Sequence, residues 1–212
     1  MGRAINTAGL ELIKRFEGFR GEAYLCPGDV WTIGYGHTEG VREGDTCTTA
    51  EAEQWLRADL RVAERAVAES VRVPLTDNQF AVLVSFAFNC GAGNLRRSTL
   101  LQELNKGHYF AVATELPKWN MAGGQVQAGL VRRRAAEVEL WNTFDGATVA
   151  DTNPLMRYAP GQINPTVLAF QKWANMMGYP VGAEDGKAGP RTSDVWALLG
   201  GHYLLGDPRG NL

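Results

Sequence analysis

Residues 17 to 38 read EGFRGEAYLCPGDVWTIGYGHT and place an acid, a thiol and a hydroxyl close together in the chain: Glu17, Cys26 and Thr32. The preceding residues, LELIKRFEGF, carry apolar side chains at helical spacing, so Glu17 is predicted near the end of a short amphipathic helix. The segments EAYLC and VWTIGYGH, separated by the turn signal Pro-Gly-Asp at 27 to 29, predict a β-hairpin. A carboxyl at a helix end would therefore face a thiol and a hydroxyl on strands.

This set of side chains favours hydrolysis of a glycosidic bond. A glycosidase needs a proton donor at the leaving oxygen. A helix-end glutamic acid packed among Phe16, Phe19 and Tyr24 would be partly desolvated, which favours the protonated form. Glu17 is therefore the candidate general acid, although a solvated charge at a helix end is the alternative. The second group is usually another carboxylate, but here the residue in place is Cys26.

The spacing resembles the catalytic segment of phage-type lysozymes, glycoside hydrolase family 24, in which Glu, eight residues, Asp or Cys, five residues and Thr follow one another. TIGYGHT at 32 to 38 is similar to the family's strand, and two further blocks match: LTDNQFAVLVSFAFNCG at 75 to 91 and GLVRRRAAEVELW at 129 to 141. The likeness covers about residues 5 to 145. It implies a phage endolysin that cuts peptidoglycan between N-acetylmuramic acid and N-acetylglucosamine.

The resemblance implies that Cys26 and Thr32 position or activate the nucleophile. Many relatives carry aspartate where this chain has Cys26, and some carry cysteine. A thiolate can accept a proton from water or attack the anomeric carbon. Glu22 and Asp29 are fallback carboxylates, although an exposed loop or turn charge is the favoured interpretation of each. The stereochemical outcome, including the anhydro-sugar of a transglycosylase, stays open.

Further site residues come from the later blocks. Asn89 ends the central predicted helix, where the family holds an amide that lines the sugar cleft, so we expect it to contact substrate; local capping is the alternative. Residues 132 to 134, all arginine, are expected mostly to form a solvated face. The resemblance implies that one of them, taken as Arg133, reaches toward the acid glutamate or the anionic substrate. It also implies that His37 pairs with Asp59 and pins the hairpin to the following helix.

Composition and charge narrow the remaining classes. The chain has 212 residues, 45% hydrophobic content and a formal net charge of −2, so a full core is feasible and nucleic acid is not expected as a partner. The three histidines lie far apart in sequence, so we predict no metal and no cofactor. The three cysteines fit synthesis in a reducing compartment.

The predicted location follows from the apolar runs. They are too short for a signal peptide or for insertion into a membrane. We therefore expect the protein to be made in the host cytoplasm and released to the cell wall through a separate holin. We also expect it to be a monomer.

The order of elements predicts an α+β fold. A small lysozyme-like β-hairpin lobe is set against a helical bundle over residues 1 to 145, with the substrate cleft between them. Residues 146 to 165 are rich in turn-forming residues and predict a linker. Residues 166 to 212 follow as a small helical module.

This module resembles the peptidoglycan-binding domain of many wall hydrolases. The matching pattern is a helix containing Gln171, then Gly-Tyr, Asp-Gly, Gly-Pro and Thr. We therefore expect Gln171, Tyr179 and Asp185 to bind the wall. The alternative is a helical hairpin that only packs on the catalytic domain.

Two other function classes remain open at this point. One is a cysteine peptidase or amidase that would use Cys26 with His37 to cut the peptidoglycan stem peptide, although no oxyanion motif surrounds the thiol. The other is a wall-binding protein that keeps the fold without catalysis.

Overall fold

A computed structural model describes residues 2–143, 163, 165–179, 181–187, 189, 191, 192 and 195. The predicted linker, residues 146 to 165, falls almost entirely outside this set, so the proposed domain boundary stays a prediction. None of the helices in these described ranges has the length and apolar character needed to cross a membrane.

Helices and two small antiparallel sheets make up the described part of the chain. In order, the elements are α1 (Thr7–Glu17), β1 (Arg20–Leu25), β2 (Trp31–Gly34), α2 (Thr49–Ser70), α3 (Asp77–Cys90), α4 (Ala92–Arg97), α5 (Thr99–Asn105), α6 (Tyr109–Glu115), a 3₁₀ turn (Leu116–Lys118), β3 (Met121–Ala122), β4 (Gln125–Val126), α7 (Ala128–Asn142) and α8 (Pro165–Met176). Strand β1 pairs with β2, and β3 pairs with β4. This arrangement confirms the predicted α+β class.

The predicted hairpin is formed by β1 and β2. Tyr24 lies opposite Thr32 in the register, and the turn after β1 contains Asp29 at a φ of 57°. The hairpin lies very close to α2 at Gly34, whose φ is 66°. A Cβ added to Gly34 would come within 2.8 Å of the Cβ of Ala52, so a glycine is required for this approach.

Helix α3 forms the centre of the bundle. Its residues from 78 to 87 are all buried, which explains why its sequence lacks a polar face. Thr76 and Gln79 form a capping box at its start, and Thr48 and Glu51 form another at the start of α2. Helices α1, α2 and α7 pack around α3 and bring the ends of α1 and α3 near the same side of α7.

Helix α8 packs on the bundle through apolar side chains that belong to the same hydrophobic cluster as the core of α3. The Tyr179 hydroxyl, just after α8, donates a hydrogen bond of 3.0 Å to Asn142 Oδ1 at the end of α7. The buried amide of Gln79 contacts the sulfur of Met177. These contacts join the start of the C-terminal segment to the helical bundle.

Candidate active site

Glu17 is the last residue of α1. Gly18 ends the helix with a φ of 73°, and its N–H donates to the carbonyl oxygen of Lys14. The Glu17 side chain is 25% exposed, and its Oε1 accepts a hydrogen bond of 2.7 Å from Nη1 of Arg133. The candidate acid is therefore held at one oxygen by a guanidinium group.

The apolar shelter expected around Glu17 is largely wrong. Phe19 and Tyr24 are both exposed. The Phe19 ring packs against Tyr35, with 5.7 Å between ring centroids, and Tyr24 lies on the hairpin. Phe16 lines the same cleft as Glu17, and the Arg133 guanidinium lies 5.8 Å from its ring centroid. The environment of the acid is therefore polar, and its main neighbour is a buried cation.

The solvated face expected for the arginines other than Arg133 is wrong for Arg134. Arg132 is exposed, whereas Arg133 and Arg134 are only 3% and 1% exposed. The physical reason is Glu137, one helical turn further along α7, whose fully buried carboxylate pairs with both arginines. Sequence reasoning missed this acid, although its spacing of three and four residues from two arginines was the available signal.

The buried network extends to α3. Ser85 Oγ donates a hydrogen bond of 2.7 Å to Glu137 Oε1 and accepts a hydrogen bond of 3.3 Å from Arg133 Nη2. Burial raises the pKa of Glu137, while Arg134, Ser85 and Arg133 oppose that rise in this order. A polar network inside the bundle therefore stands directly behind the Glu17 contact.

A cleft of about 510 Å³ opens at this position. Glu17, Asn89 and Arg133 line it together, so the structure brings three of the candidate residues to one place. Phe16, Gln127 and Arg132 are among the other lining residues. Cys26 and Thr32 lie on the hairpin, outside the set that lines this cleft.

Asn89 is exposed at the end of α3. Its Oδ1 accepts a hydrogen bond of 2.8 Å from Nη2 of Arg134. The N–H of Gly91, which closes the helix, donates instead to the carbonyl oxygen of Ala87. The Asn89 side chain is therefore oriented by a buried arginine, and the capping alternative does not describe it.

Cys26 directly follows β1, and its thiol is partly exposed. Hydrogen bonds from the backbone N–H groups of Gly28 and Val30 lower the thiol pKa, and the Thr32 hydroxyl adds to the effect. Thr32 itself is buried, and its hydroxyl lies 3.0 Å from the carbonyl oxygen of Val30. Cys26 and Thr32 thus lie close together on the hairpin.

His37 and Asp59 lie in contact. The histidine Nδ1 is 2.9 Å from Asp59 Oδ2, its Nε2 is 3.1 Å from the carbonyl oxygen of Glu39, and its ring stacks on Trp55 at 5.1 Å. Both ring nitrogens are occupied by groups other than Cys26. Among the residues described, no three His, Cys, Asp or Glu side chains gather into a possible metal site.

The side chains expected to bind the wall have internal partners. Gln171 is buried, its Nε2 lies 3.0 Å from Asp185 Oδ1, and its Oε1 accepts from the N–H of Gly186. Tyr179 is buried on Asn142 as described above. Asp185 is exposed. Gln171 therefore fixes the loop that carries Asp185, and a wall contact by these residues stays a prediction.

Comparison with known sequences adds the family. A family model described as phage lysozyme matches residues 14–137, a range that contains every residue lining the cleft. The chain belongs to the phage lysozyme family. The prediction of this family is thereby confirmed.

Relatives and solved structures of the phage lysozyme family point the same way. The chain is 44% identical over 142 residues to an endolysin of Bacillus phage PZA, which covers 66% of this chain and 55% of that protein. It is 41% identical over 143 residues to an endolysin of Acyrthosiphon pisum secondary endosymbiont phage 1, covering 66% of this chain and 98% of that one. The muramidase domain of SpmX from Asticaccaulis excentricus superimposes with a TM-score of 0.64 at 42% identity, covering 68% and 100%.

Proposed function

We propose that this chain is an endolysin with muramidase activity, which hydrolyses the β-1,4 bond between N-acetylmuramic acid and N-acetylglucosamine in bacterial peptidoglycan. The family membership and the endolysin relatives support this proposal. The observation that carries it is Glu17, a partly exposed carboxyl in a cleft, held at Oε1 by the buried Arg133. Such a group has the position required of a general acid.

In the proposed reaction, Glu17 donates its proton to the glycosidic oxygen as the bond to the anomeric carbon breaks. Arg133 fixes the orientation of the carboxyl group through Oε1, so the Oε2 oxygen is the one proposed to face the scissile bond. Asn89 contacts the sugar chain. Cys26 and Thr32 hold and activate the water, or the thiolate attacks the anomeric carbon.

The direct test is Glu17→Gln, because glutamine is nearly isosteric but has no acidic proton. We expect release of reducing ends from purified peptidoglycan to fall about a thousandfold. Glu11→Gln is the matched control, since Glu11 lies on the same helix and pairs with the neighbouring Lys14. A Glu17→Gln variant that keeps more than about a tenth of the activity would contradict the assignment.

The same digestion separates the rival functions. A peptidase or amidase would release new amines, and a binding protein would release neither amines nor reducing ends. The contacts of His37 with Asp59 and Glu39 argue against a Cys26–His37 pair, because both ring nitrogens already have partners. Product mass distinguishes a hydrolase from a transglycosylase.

We also propose that the segment from 166 to 212 binds the wall and that a separate holin releases the enzyme to its substrate. The first proposal rests on the resemblance to peptidoglycan-binding domains and on the exposed loop that Gln171 supports. Mixing the full chain with washed wall fragments at pH values where it is inactive would measure binding without cleavage. Expression with and without a holin, followed by culture turbidity, tests the second proposal.

A further inference from the structure

The buried carboxylate of Glu137 divides its two oxygens between two arginines. Its Oε1 lies 3.4 Å from Nε of Arg133, and its Oε2 lies 3.1 Å from Nε of Arg134. Both contacts use the Nε atom, so the terminal nitrogens of each guanidinium group are left to bind other residues. The Arg133 contact is a hydrogen bond, whereas the Arg134 contact is an ion pair without hydrogen-bond geometry. A planar guanidinium group held along one edge has a fixed direction for its remaining donors.

Those remaining donors reach two different residues of the cleft. Arg133 Nη1 donates 2.7 Å to Glu17 at the end of α1, and Arg134 Nη2 donates 2.8 Å to Asn89 at the end of α3. One fully buried acid on α7 thus stands behind both the candidate acid and the candidate sugar contact. Two chains of contacts therefore start at Glu137: the Arg133 branch, which ends at Glu17, and the Arg134 branch, which ends at Asn89.

Building on the proposed function, we propose that Glu137 is the positioning residue that aims Arg133 at the general acid and Arg134 at the substrate-binding amide. Its carboxylate compensates two guanidinium charges that are almost completely buried, which neither Glu17 nor Asn89 could do alone. Ser85 completes the first branch only, because its hydroxyl bridges Glu137 Oε1 and Arg133 Nη2.

The two branches predict separable kinetic effects. Ser85→Ala loosens the Arg133 branch and should lower kcat about tenfold with KM unchanged, because the general acid acts in the chemical step. Arg134→Lys keeps a positive charge beside Glu137 but lacks the planar fork needed to reach Asn89 as well. It should raise KM about threefold to tenfold with kcat little changed.

Glu137→Gln removes the carboxylate charge from which both branches start. It should lower kcat about ten- to hundredfold and raise KM at the same time. Glu139→Gln is the matched control, because Glu139 is exposed on the same helix and lines a different groove, which does not include Glu17. Soluble peptidoglycan fragments serve as substrate, and circular dichroism and Tm establish that each variant is folded.

The outcomes decide between positioning and simple packing. If Ser85→Ala and Arg134→Lys lower only Tm and keep the kcat and KM of the unchanged chain, the inference is wrong, whether or not Glu137→Gln folds. Glu17→Gln is measured in parallel. An active Glu17→Gln variant contradicts the proposed function itself, whereas an inactive one beside unaffected Ser85→Ala and Arg134→Lys contradicts only the role of Glu137.

Discussion

At the scale of single residues, the site combines groups of very different predictability. Glu17, Cys26 and Thr32 could be selected from their spacing and resemblance, because they lie within one short stretch of chain. Arg134 and Glu137 could be paired from their spacing on α7, but their link to the site could not be predicted, since it depends on contacts with α3 that only the folded bundle brings together. The contact of Glu17 with Arg133 was expected from the resemblance, whereas the exposure of Phe19 and Tyr24 was missed for the same reason.

Cys26 gives the first prediction at this scale. Cys26→Ser should lower activity strongly, about a hundredfold or more, because a hydroxyl does not ionise near neutral pH. Cys26→Asp should retain or partly restore it, since a carboxylate also accepts a proton from water.

The lowered pKa of the Cys26 thiol predicts the direction in which activity changes with pH. Backbone hydrogen bonds, first from Gly28, lower the thiol pKa, so the thiolate is present above that lowered pKa and is lost as the pH falls through it. Activity of the unchanged chain should therefore decline on acidification before that of Cys26→Asp, whose side chain ionises at about pH 4 in water. Identical profiles of kcat/KM against pH would assign Cys26 no role in proton transfer.

The three thiols should also differ in reactivity. Burial raises the pKa of Cys90, burial and then Glu51 raise that of Cys47, and only Cys26 has a lowered pKa among the three. At pH 7, iodoacetamide should modify Cys26 about tenfold faster than either other thiol. Peptide mass mapping against time measures the three rates, and faster labelling of Cys47 would contradict the hydrogen-bonding account.

At the scale of secondary-structure elements, the sequence indicated where the helices lie better than how the elements pack against one another. The capping boxes at Thr48 and Thr76 and the hairpin turn after β1 were readable, since each is a local pattern. At Gly34 a bulge or a close backbone approach could be anticipated, but not that α2 is the partner, because a glycine has no side chain that could indicate its neighbour. This approach sets where the hairpin stands on the bundle.

Gly34→Ala tests that approach. A methyl group there would meet Ala52 at 2.8 Å, so either strand β2 or helix α2 must move. Gly40→Ala is the matched control, because Gly40 has a similar φ of 74° but open space around it. Chemical denaturation should give Gly34→Ala a free energy of unfolding about 1–3 kcal/mol lower than that of Gly40→Ala. Equal values would place the whole cost in the backbone angle.

At the scale of the whole molecule, α8 and the residues after it pack on the bundle that carries the cleft. Met177 and Tyr179 contact Gln79 and Asn142, so the start of the C-terminal segment shares the main hydrophobic core. The helical character of this segment was predictable from its apolar spacing. Its docking was not, because the contacts join residues almost 100 positions apart.

A chain ending at Asp145 tests the two-domain organisation. It should still fold and cleave soluble glycan, because α1 to α7 and the cleft are complete, but its Tm should fall by about 5 °C as the Met177 and Tyr179 contacts are lost. Activity on insoluble wall should fall further if the segment also tethers the enzyme. Full activity of the shortened chain on insoluble wall would mean that the C-terminal segment only packs on the bundle. Tyr179→Phe in the full chain isolates the contribution of the Tyr179–Asn142 hydrogen bond.

The mutual burial of Arg134 and Glu137 constrains how this family member can change over generations. Losing Glu137 leaves Arg134 uncompensated inside the bundle, a cost of about 3–5 kcal/mol that rivals the whole stability margin of many domains, whereas losing Arg134 leaves Glu137 paired with Arg133. Replacing both Arg134 and Glu137 by apolar side chains of similar volume avoids that cost. Descendants with an apolar residue at position 137 should therefore carry an uncharged residue at position 134.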